Sequence, residues 1–397
     1  MQNLDKTNIF VIPSWYPSES YPTSGVFIKE QINAISNFDN SINQFISTWG
    51  HDQGHLSLRN PKTLYNAIKW RIKSSRKVIK HKSNLLEVYS PSLSWSNQLP
   101  FGGYRSLVKV NRRNLEQAFL FNDINIIHAH SVYPGGIIAS ILSKEFNIPF
   151  IITEHMGMRN PALLKKGKPL DRIVDAYNEA RKIIAVSDFL KIKLEAHNIK
   201  NIIVIPNLVN EDVFNIQNEQ SGKFIFFTLC HMLEIKGIDI LLHAIQRMKG
   251  VSNSVEFWIG GSGPMLNQYK SLAESLKVSS KIKWLGHINP EESPGYFQIC
   301  NVFVLPSKYE TFGVVYAEAI ACGKPVIASR CGGPESIVND INGVLIKSES
   351  VEELSEAMTK MIDNSQNYSS KEIRNDFLIK FSRVKVVNQI AEIYNNI

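Results

Sequence analysis

Two carboxylates, Glu310 and Glu318, stand with seven residues between them in the segment SKYETFGVVYAEAIACGKPVIAS, 307–329. Thr311, Phe312, Gly313 and Val314 lie in that interval. The pattern predicts a helix that opens at Thr311 or Phe312 and runs through Val314, Ala317, Glu318 and Ala321 to a Gly323 cap. Free amides at a helix start attract anions, and a glycine there leaves room for a phosphate to approach. A phosphate site flanked by two carboxylates suits a ligand with a pyrophosphate at its centre and a hydroxyl-rich group on each side, which is the outline of a nucleotide sugar. Two other readings remain for the same spacing. The pair could be solvated helix-edge residues, or an acid and base for glycoside hydrolysis, although a hydrolase does not need the adjoining anion pocket.

A second anion site is predicted at LCHMLEIKGIDILLHA, 229–244, where Lys236 precedes Gly237 at a helix start and His231 ends a strand. A lysine there would supply a point charge to a diphosphate without a metal, and His231 could add a donor. GGSGP, 260–264, follows another strand but lacks the glycine spacing of a dinucleotide fingerprint. Gly25, in the loop SWYPSESYPTSGVFIKEQ, could bring the backbone near phosphate. His128, His130 and His155 each end a strand, where ligands of α/β sheets gather, though such histidines also serve as hydrogen-bonded structural groups. No Asp-x-Asp occurs, so a metal-held diphosphate has no visible ligand set.

The elements that must position these residues recur along the chain. Short β-branched runs at 9–13, 124–130, 149–155, 182–187 and 202–207 alternate with helix-periodic stretches, and the pattern restarts at 224–230, 255–261, 281–286, 302–307, 324–329 and 343–347. Continuous apolar strands between helices imply parallel sheets covered on both faces. The expected fold is therefore α/β, with two successive domains, 1–208 and 209–370, and a junction in the polar stretch 207–223. Residues 371–397 read as a single closing helix that returns toward the first domain.

Composition sets the outer bounds. A chain of 397 residues exceeds a usual single core, and 44% hydrophobic with 20% charged residues excludes a disordered or fibrous class. The four cysteines, Cys230, Cys300, Cys322 and Cys331, lack zinc-clamp spacing. Neither a signal peptide nor a membrane-spanning run is visible, so the expected location is cytoplasmic, with peripheral contact at the inner face of the cell membrane as the furthest excursion. The net charge of +8 is uneven. Through Leu208 there are 26 basic and 15 acidic residues, against 18 and 21 in the remainder. Within the first part, 59–82 holds nine basic residues and no Asp or Glu.

The ordered motifs NIIHAHSVYPGG, IITEHMG, IIAVSDFLK, VIPNLVNEDVF, MLEIKGIDILLHAI, IGGSGP, the Glu310 to Glu318 segment and RCGGPESIVNDINGVLI resemble the retaining glycosyltransferases of family 4, which have GT-B architecture. The resemblance implies two Rossmann-like domains facing across a cleft. It further implies that Glu310 contacts donor-sugar hydroxyls, Glu318 holds the ribose, Thr311 to Val314 offer amides, and Lys236 neutralises the diphosphate. His155 would bind the transferred sugar near the reacting carbon, and Gly25 would approach the donor phosphate. Independently of the resemblance, His128 and His130, as strand-end residues, and Asn207 are expected to line the acceptor side or the cleft. His231 stands where the family usually has Arg, and Gly25 follows Ser24 where the family usually has paired glycines. No cofactor or metal is implied beyond the UDP-, GDP- or ADP-linked donor.

The expected activity is extension of a surface glycan on a glycan or lipid-linked acceptor. A sugar-nucleotide epimerase of the same fold is the alternative, followed by a basic nucleic-acid-binding protein, which would leave Glu310 and Glu318 unexplained. The basic block reads either as a solvated face or as an interfacial helix, with Leu64, Ile68 and Ile72 at helical spacing and Tyr65 alongside, resting on an anionic membrane.

Overall fold

The structure is a computed structural model and describes residues 6–18, 22–51, 54–56, 61–95, 103–157, 163–165, 168–217, 222–248 and 254–397. The chain divides into two compact units. The first comprises Met1–Val186, Leu190–Ile205 and Val386–Ile397, and the second Ser187–Phe189 and Pro206–Lys385.

The first unit contains β1 (Thr7–Pro13), α1 (Val26–Phe38), β2 (Ile42–Thr48), α2 (Pro61–Lys73), β3 (Lys77–Lys82), β4 (Leu85–Tyr89), α3 (Tyr104–Phe119), β5 (Ile126–His130), α4 (Ile137–Phe146), β6 (Phe150–Glu154), α5 (Asp171–Glu179), β7 (Lys182–Ala185) and β8 (Ile202–Val204). Helix α6 (Asp188–Glu195) begins in the second unit and ends in the first. The sheet order is β8-β7-β6-β5-β1-β2-β4-β3. All pairings are parallel except that of the edge strand β3 on β4. Strand order reverses at β1, whose neighbours are β2 and β5, and such a switch is where open α/β sheets receive ligands beyond the carboxyl ends.

The second unit contains β9 (Phe224–Leu229), α7 (Ile238–Arg247), β10 (Val255–Gly260), α8 (Leu266–Ser275), β11 (Ile282–Gly286), α9 (Ser293–Ile299), β12 (Val302–Leu305), α10 (Val314–Ala321), β13 (Val326–Arg330), β14 (Gly343–Lys347), α11 (Val351–Asn364) and α12 (Ser370–Phe381). Its sheet, β11-β10-β9-β12-β13-β14, is wholly parallel. Phe226, Phe227, Phe257, Phe297, Phe303 and Tyr316 are fully buried and fill the space between sheet and helices. Because β9 and β12 are neighbours, the loops that leave their carboxyl ends lie side by side.

Three strands of the first unit's sheet escape the periodicity reading. Strand β2, INQFIST, carries polar residues that are nonetheless buried: Gln44 Nε2 donates to the Ile32 carbonyl at 2.8 Å and Ser47 Oγ to Asn111 Oδ1 at 2.6 Å. Internal hydrogen bonds substitute for the apolar pattern a buried strand normally shows. Strands β3 and β4 follow, and β3 lies inside the basic block, which therefore combines helix α2 with an exposed edge strand.

The single closing helix expected over 371–397 is two helices, α12 and α13 (Arg383–Asn395). The chain is extended at Ser382, where Val209 N donates to the Phe381 carbonyl at 3.2 Å and Arg383 Nε meets Glu211 Oε2 at 3.0 Å. From Val386 onward the chain belongs to the first unit.

Candidate active site

In the second unit, β9 leads through a 3-10 turn, Glu234–Lys236, into α7. Gly237 joins them with φ 67°, and a Cβ on it would stand 2.0 Å from the Pro306 carbonyl oxygen. Only glycine permits that approach. Lys308 N donates to the Ile235 carbonyl at 2.8 Å, fastening the loop after β9 to the loop after β12. The result is a direct ion pair: Lys236 Nζ lies 2.6 Å from Glu310 Oε1, which also accepts from Ser307 Oγ at 2.9 Å. Burial disfavours the Lys236 ammonium, but the facing Glu310 charge outweighs it and the pKa is raised. The Glu310 backbone is held by an amide from Gly333 at 2.8 Å. Lys236 thus sits before a left-handed glycine rather than at the first turn of α7 itself.

The helix that carries Glu318 begins later than the sequence pattern predicts. Thr311 and Phe312 lie outside it, because Gly313 is left-handed at φ 92° and α10 starts at Val314. Phe312 turns into the core at 2% exposure, its ring centroid 5.9 Å from that of Phe381. The Thr311 carbonyl accepts from Ser187 Oγ at 2.5 Å. Amides at Gly313 and Val314 are those nearest the helix start. Glu318 is partly buried on α10, and its carboxyl group has no hydrogen-bond or ion-pair partner among the described residues. Burial pushes its carboxyl up to about 7. A buried carboxyl without donors is the group that gains most from a ligand's hydroxyls.

His231 is exposed just beyond β9. The glycines of GGSGP serve the backbone, since a Cβ on Gly261 would lie 1.8 Å from the Cys230 carbonyl oxygen. That close approach lets the loop after β10 lie against the loop after β9, and Met232 N donates to the Ser262 carbonyl at 2.9 Å. Asn207 is buried at the start of the second unit's main segment.

The first unit gathers three of its histidines into a stack. His128 and His130 rings are 4.6 Å apart and His130 and His155 5.4 Å, with His130 Nδ1 at 3.1 Å from His155 Nε2. His128 Nδ1 meets Tyr394 Oη at 2.6 Å and its Nε2 meets Thr153 Oγ1 at 2.8 Å. Burial lowers the His128 pKa to about 3. Burial, reinforced by the neighbouring His128 and His155, holds His130 well below its ordinary value. Both rings are therefore neutral at physiological pH. Gly25 opens α1 with φ 69°, and a Cβ there would stand 2.5 Å from the Trp15 carbonyl oxygen, so the start of α1 lies tightly against Trp15.

Two residues that sequence reasoning missed complete this group. Tyr394, on α13, carried no local signal, being 266 residues from His128. Glu154 did carry one, since a charge that ends an apolar strand demands partners. Among the described residues, no group of three or more His, Cys, Asp or Glu is arranged to hold a metal ion.

Within the basic block, Arg59 lies outside the described residues. Helix α2 packs through Ala67 and Trp70 and exposes Tyr65 at 63%, Ile68 at 43% and Ile72 at 78%. Leu64, expected on the exposed apolar face, is instead partly buried. No helix among the described residues is long and apolar enough to cross a membrane.

Two α/β units with wholly or largely parallel sheets, one presenting a Lys–Glu pair beyond its strand ends and, on the next helix, a Glu carboxyl without a partner among the described residues, define the class of two-domain GT-B glycosyltransferases. An Anabaena protein, HepE, solved with UDP, has a TM-score of 0.72 at 17% identity over 98% of this chain and 100% of its own. The same protein has also been solved with UDP-glucose. The model of Glycosyl transferases group 1 matches residues 209–377 and that of Glycosyltransferase Family 4 matches 58–213. An uncharacterized glycosyltransferase of Methanocaldococcus jannaschii is 31% identical over 279 residues, 69% of this chain and 76% of the relative. The phosphatidylinositol N-acetylglucosaminyltransferase GPI3 subunit of Saccharomyces cerevisiae is 23% identical over 341 residues, 80% and 73% of the two chains. The chain belongs to glycosyltransferase family 4 and is a glycosyltransferase.

Proposed function

We propose that this enzyme transfers a hexosyl group from a nucleotide-sugar donor, with retention and without a divalent metal, to a glycan or lipid-linked acceptor in surface polysaccharide synthesis. The observation that carries the reading is the Lys236–Glu310 pair, 2.6 Å apart, with Glu318 on the helix that follows. Lys236 and the amides of Gly313 and Val314 take the diphosphate, Glu318 accepts from the ribose hydroxyls, and Glu310 and His155 hold the transferred sugar. His231 and Gly25 flank the phosphates, while His128, His130 and Asn207 support the acceptor side.

In the proposed step, the bond from the anomeric carbon to the diphosphate oxygen breaks and the acceptor oxygen bonds on the same face. The acceptor proton passes to the departing diphosphate. Charge grows on the leaving group, and Lys236 stabilises it, a role that a divalent cation would otherwise fill. A diphosphate that draws on Lys236 also frees Glu310 from its ion pair to accept from sugar hydroxyls. The UDP and UDP-glucose bound by HepE and the lipid named for the yeast relative support the donor and acceptor classes. The exposed Tyr65, Ile68 and Ile72 among Lys62, Lys69, Arg71 and Lys73 support contact of α2 with an anionic membrane on the cytoplasmic side.

The test combines thermal shift with UDP-, GDP- and ADP-sugars and anomeric NMR of the product, with and without EDTA. One donor class is expected to raise the melting temperature and to yield a retained linkage unaffected by EDTA. Donor turnover without acceptor would instead favour an epimerase, and tight duplex DNA binding with no donor response a nucleic-acid-binding protein. Sedimentation with phosphatidylglycerol vesicles at low and high salt probes the membrane contact, and no binding at low salt would remove it.

A further inference from the structure

Strand β6, FIITE, begins with three apolar residues and ends in Glu154, which is 1% exposed. A carboxylate so placed is costly unless it is fully hydrogen-bonded. Five donors meet it. Oε1 accepts from the consecutive amides of His155 at 3.0 Å, Met156 at 2.9 Å and Gly157 at 3.1 Å. Oε2 accepts from the Val132 amide at 2.8 Å and the Tyr177 hydroxyl at 2.7 Å. Burial first, and then the Glu154 charge, raise the Tyr177 pKa well above its ordinary value, so the phenol keeps its proton and donates. Every partner is a donor and none is a cation.

One side chain therefore ties together the turn after β5, the loop after β6 and helix α5. His130 and His155 leave those same two strands. With its backbone held by Glu154, the His155 ring rests on His130 Nδ1 at 3.1 Å and against Phe27 at a centroid distance of 4.7 Å.

We propose that Glu154 is the positioning residue that sets His155 for the transferred sugar, which rests on the assignment of His155 above. The carboxylate itself is required. In Glu154→Gln the oxygen can keep its three amides, but the new NH₂ group faces the Val132 N–H, donor against donor. The loop must shift, and a displacement of about 1 Å at a reacting centre costs on the order of 100-fold in rate.

The experiment is a double-mutant cycle on the full-length enzyme with the donor that raises its melting temperature. Glu154→Gln is expected to lower kcat on the order of 100-fold while the Kd of the matching free nucleoside diphosphate stays within about twofold. In a His155→Ala background the same substitution is expected to cost nothing further, because both act through one ring. Losses that multiply, or a Glu154→Gln enzyme with normal kcat, overturn the proposal. A His155→Ala enzyme of normal activity overturns the assignment of His155 itself. If Glu154→Gln does not fold, Tyr177→Phe, which removes one donor of five, takes its place. A kcat loss that vanishes in the His155→Ala background supports the proposal, and no loss or a persistent one overturns it.

Discussion

The two units deliver chemistry to the same place, the carboxyl ends of parallel strands, but finish it differently. In the first unit the groups satisfy one another: His128, His130 and His155 stack, and Glu154 receives five hydrogen bonds. In the second unit satisfaction declines along the site, from Glu310 with Lys236 and Ser307 to the Glu318 carboxyl with no partner among the described residues. A carboxylate already saturated, as Glu154 is, is scaffold, and a carboxylate left wanting, as Glu318 is, is where a ligand gains energy. Topology alone does not distinguish the two, since both come from the same α/β plan. What surrounds each strand end decides.

Breaking the second unit's ion pair should have the largest effect. Lys236→Ala is expected to lower donor-dependent kcat roughly 100- to 1,000-fold, the range for removing one preorganised stabiliser of leaving-group charge. It also leaves Glu310 with Ser307 alone, costing about 1–3 kcal/mol of stability in urea unfolding. Adding Glu310→Gln should recover the stability but not the rate. Recovery of rate would show that Lys236 serves Glu310 rather than the donor.

The pH response should separate the two units by sign. Glu318 titrates at about 7 in the folded chain against an ordinary 4.5. Between those values the unfolded chain holds fewer protons, so this group's contribution makes stability fall as pH rises. If ribose hydroxyls bond to the carboxylate, nucleoside diphosphate affinity should weaken up to tenfold per unit below about pH 7. Calorimetry on Glu318→Gln should find weaker, pH-flat binding, and a flat profile in the unaltered enzyme would place the ribose elsewhere.

The histidines act in the opposite direction and over a smaller usable range. His128, at about 3, and His51, which follows β2 outside the stack and meets the Pro13 carbonyl at 2.9 Å, at about 4, are held below 6.5 by burial. The unfolded chain takes up these protons first, so stability is lost as pH falls from 6.5 toward the folded values. The loss is up to about 1.4 kcal/mol per histidine per pH unit. Hydrogen exchange of β5 and β6 against pH should show it, with a shallower slope in His128→Asn. An unchanged slope would mean that the stack is not the acid-sensitive element.

Much of this arrangement was legible in the chain. Apolar β-branched runs marked eleven strands because a doubly covered strand has no polar face, and strand-end residues such as His155, Lys236 and Glu310 could be placed from those runs. Strand β2 was hidden because Gln44 and Ser47 are buried by hydrogen bonding rather than by apolarity. The start of α10 was misplaced because Gly313 bends into a left-handed conformation that no periodicity records. The break at Ser382 escaped for a similar reason: Val209 and Glu211, remote in sequence, impose it.

The sequence by itself determined the class of fold, the family and the interval between Glu310 and Glu318, since strand patterning and motif spacing are local properties of the chain. Tertiary structure alone decided that Lys236 pairs with Glu310 across 74 residues, that Tyr394 reaches His128 across 266, and that Glu154 gathers donors from three elements. Hydrogen bonds and ion pairs act over about 3 Å. Which groups come within that reach depends on strand order and on the loops that glycines such as Gly237 and Gly261 allow to touch.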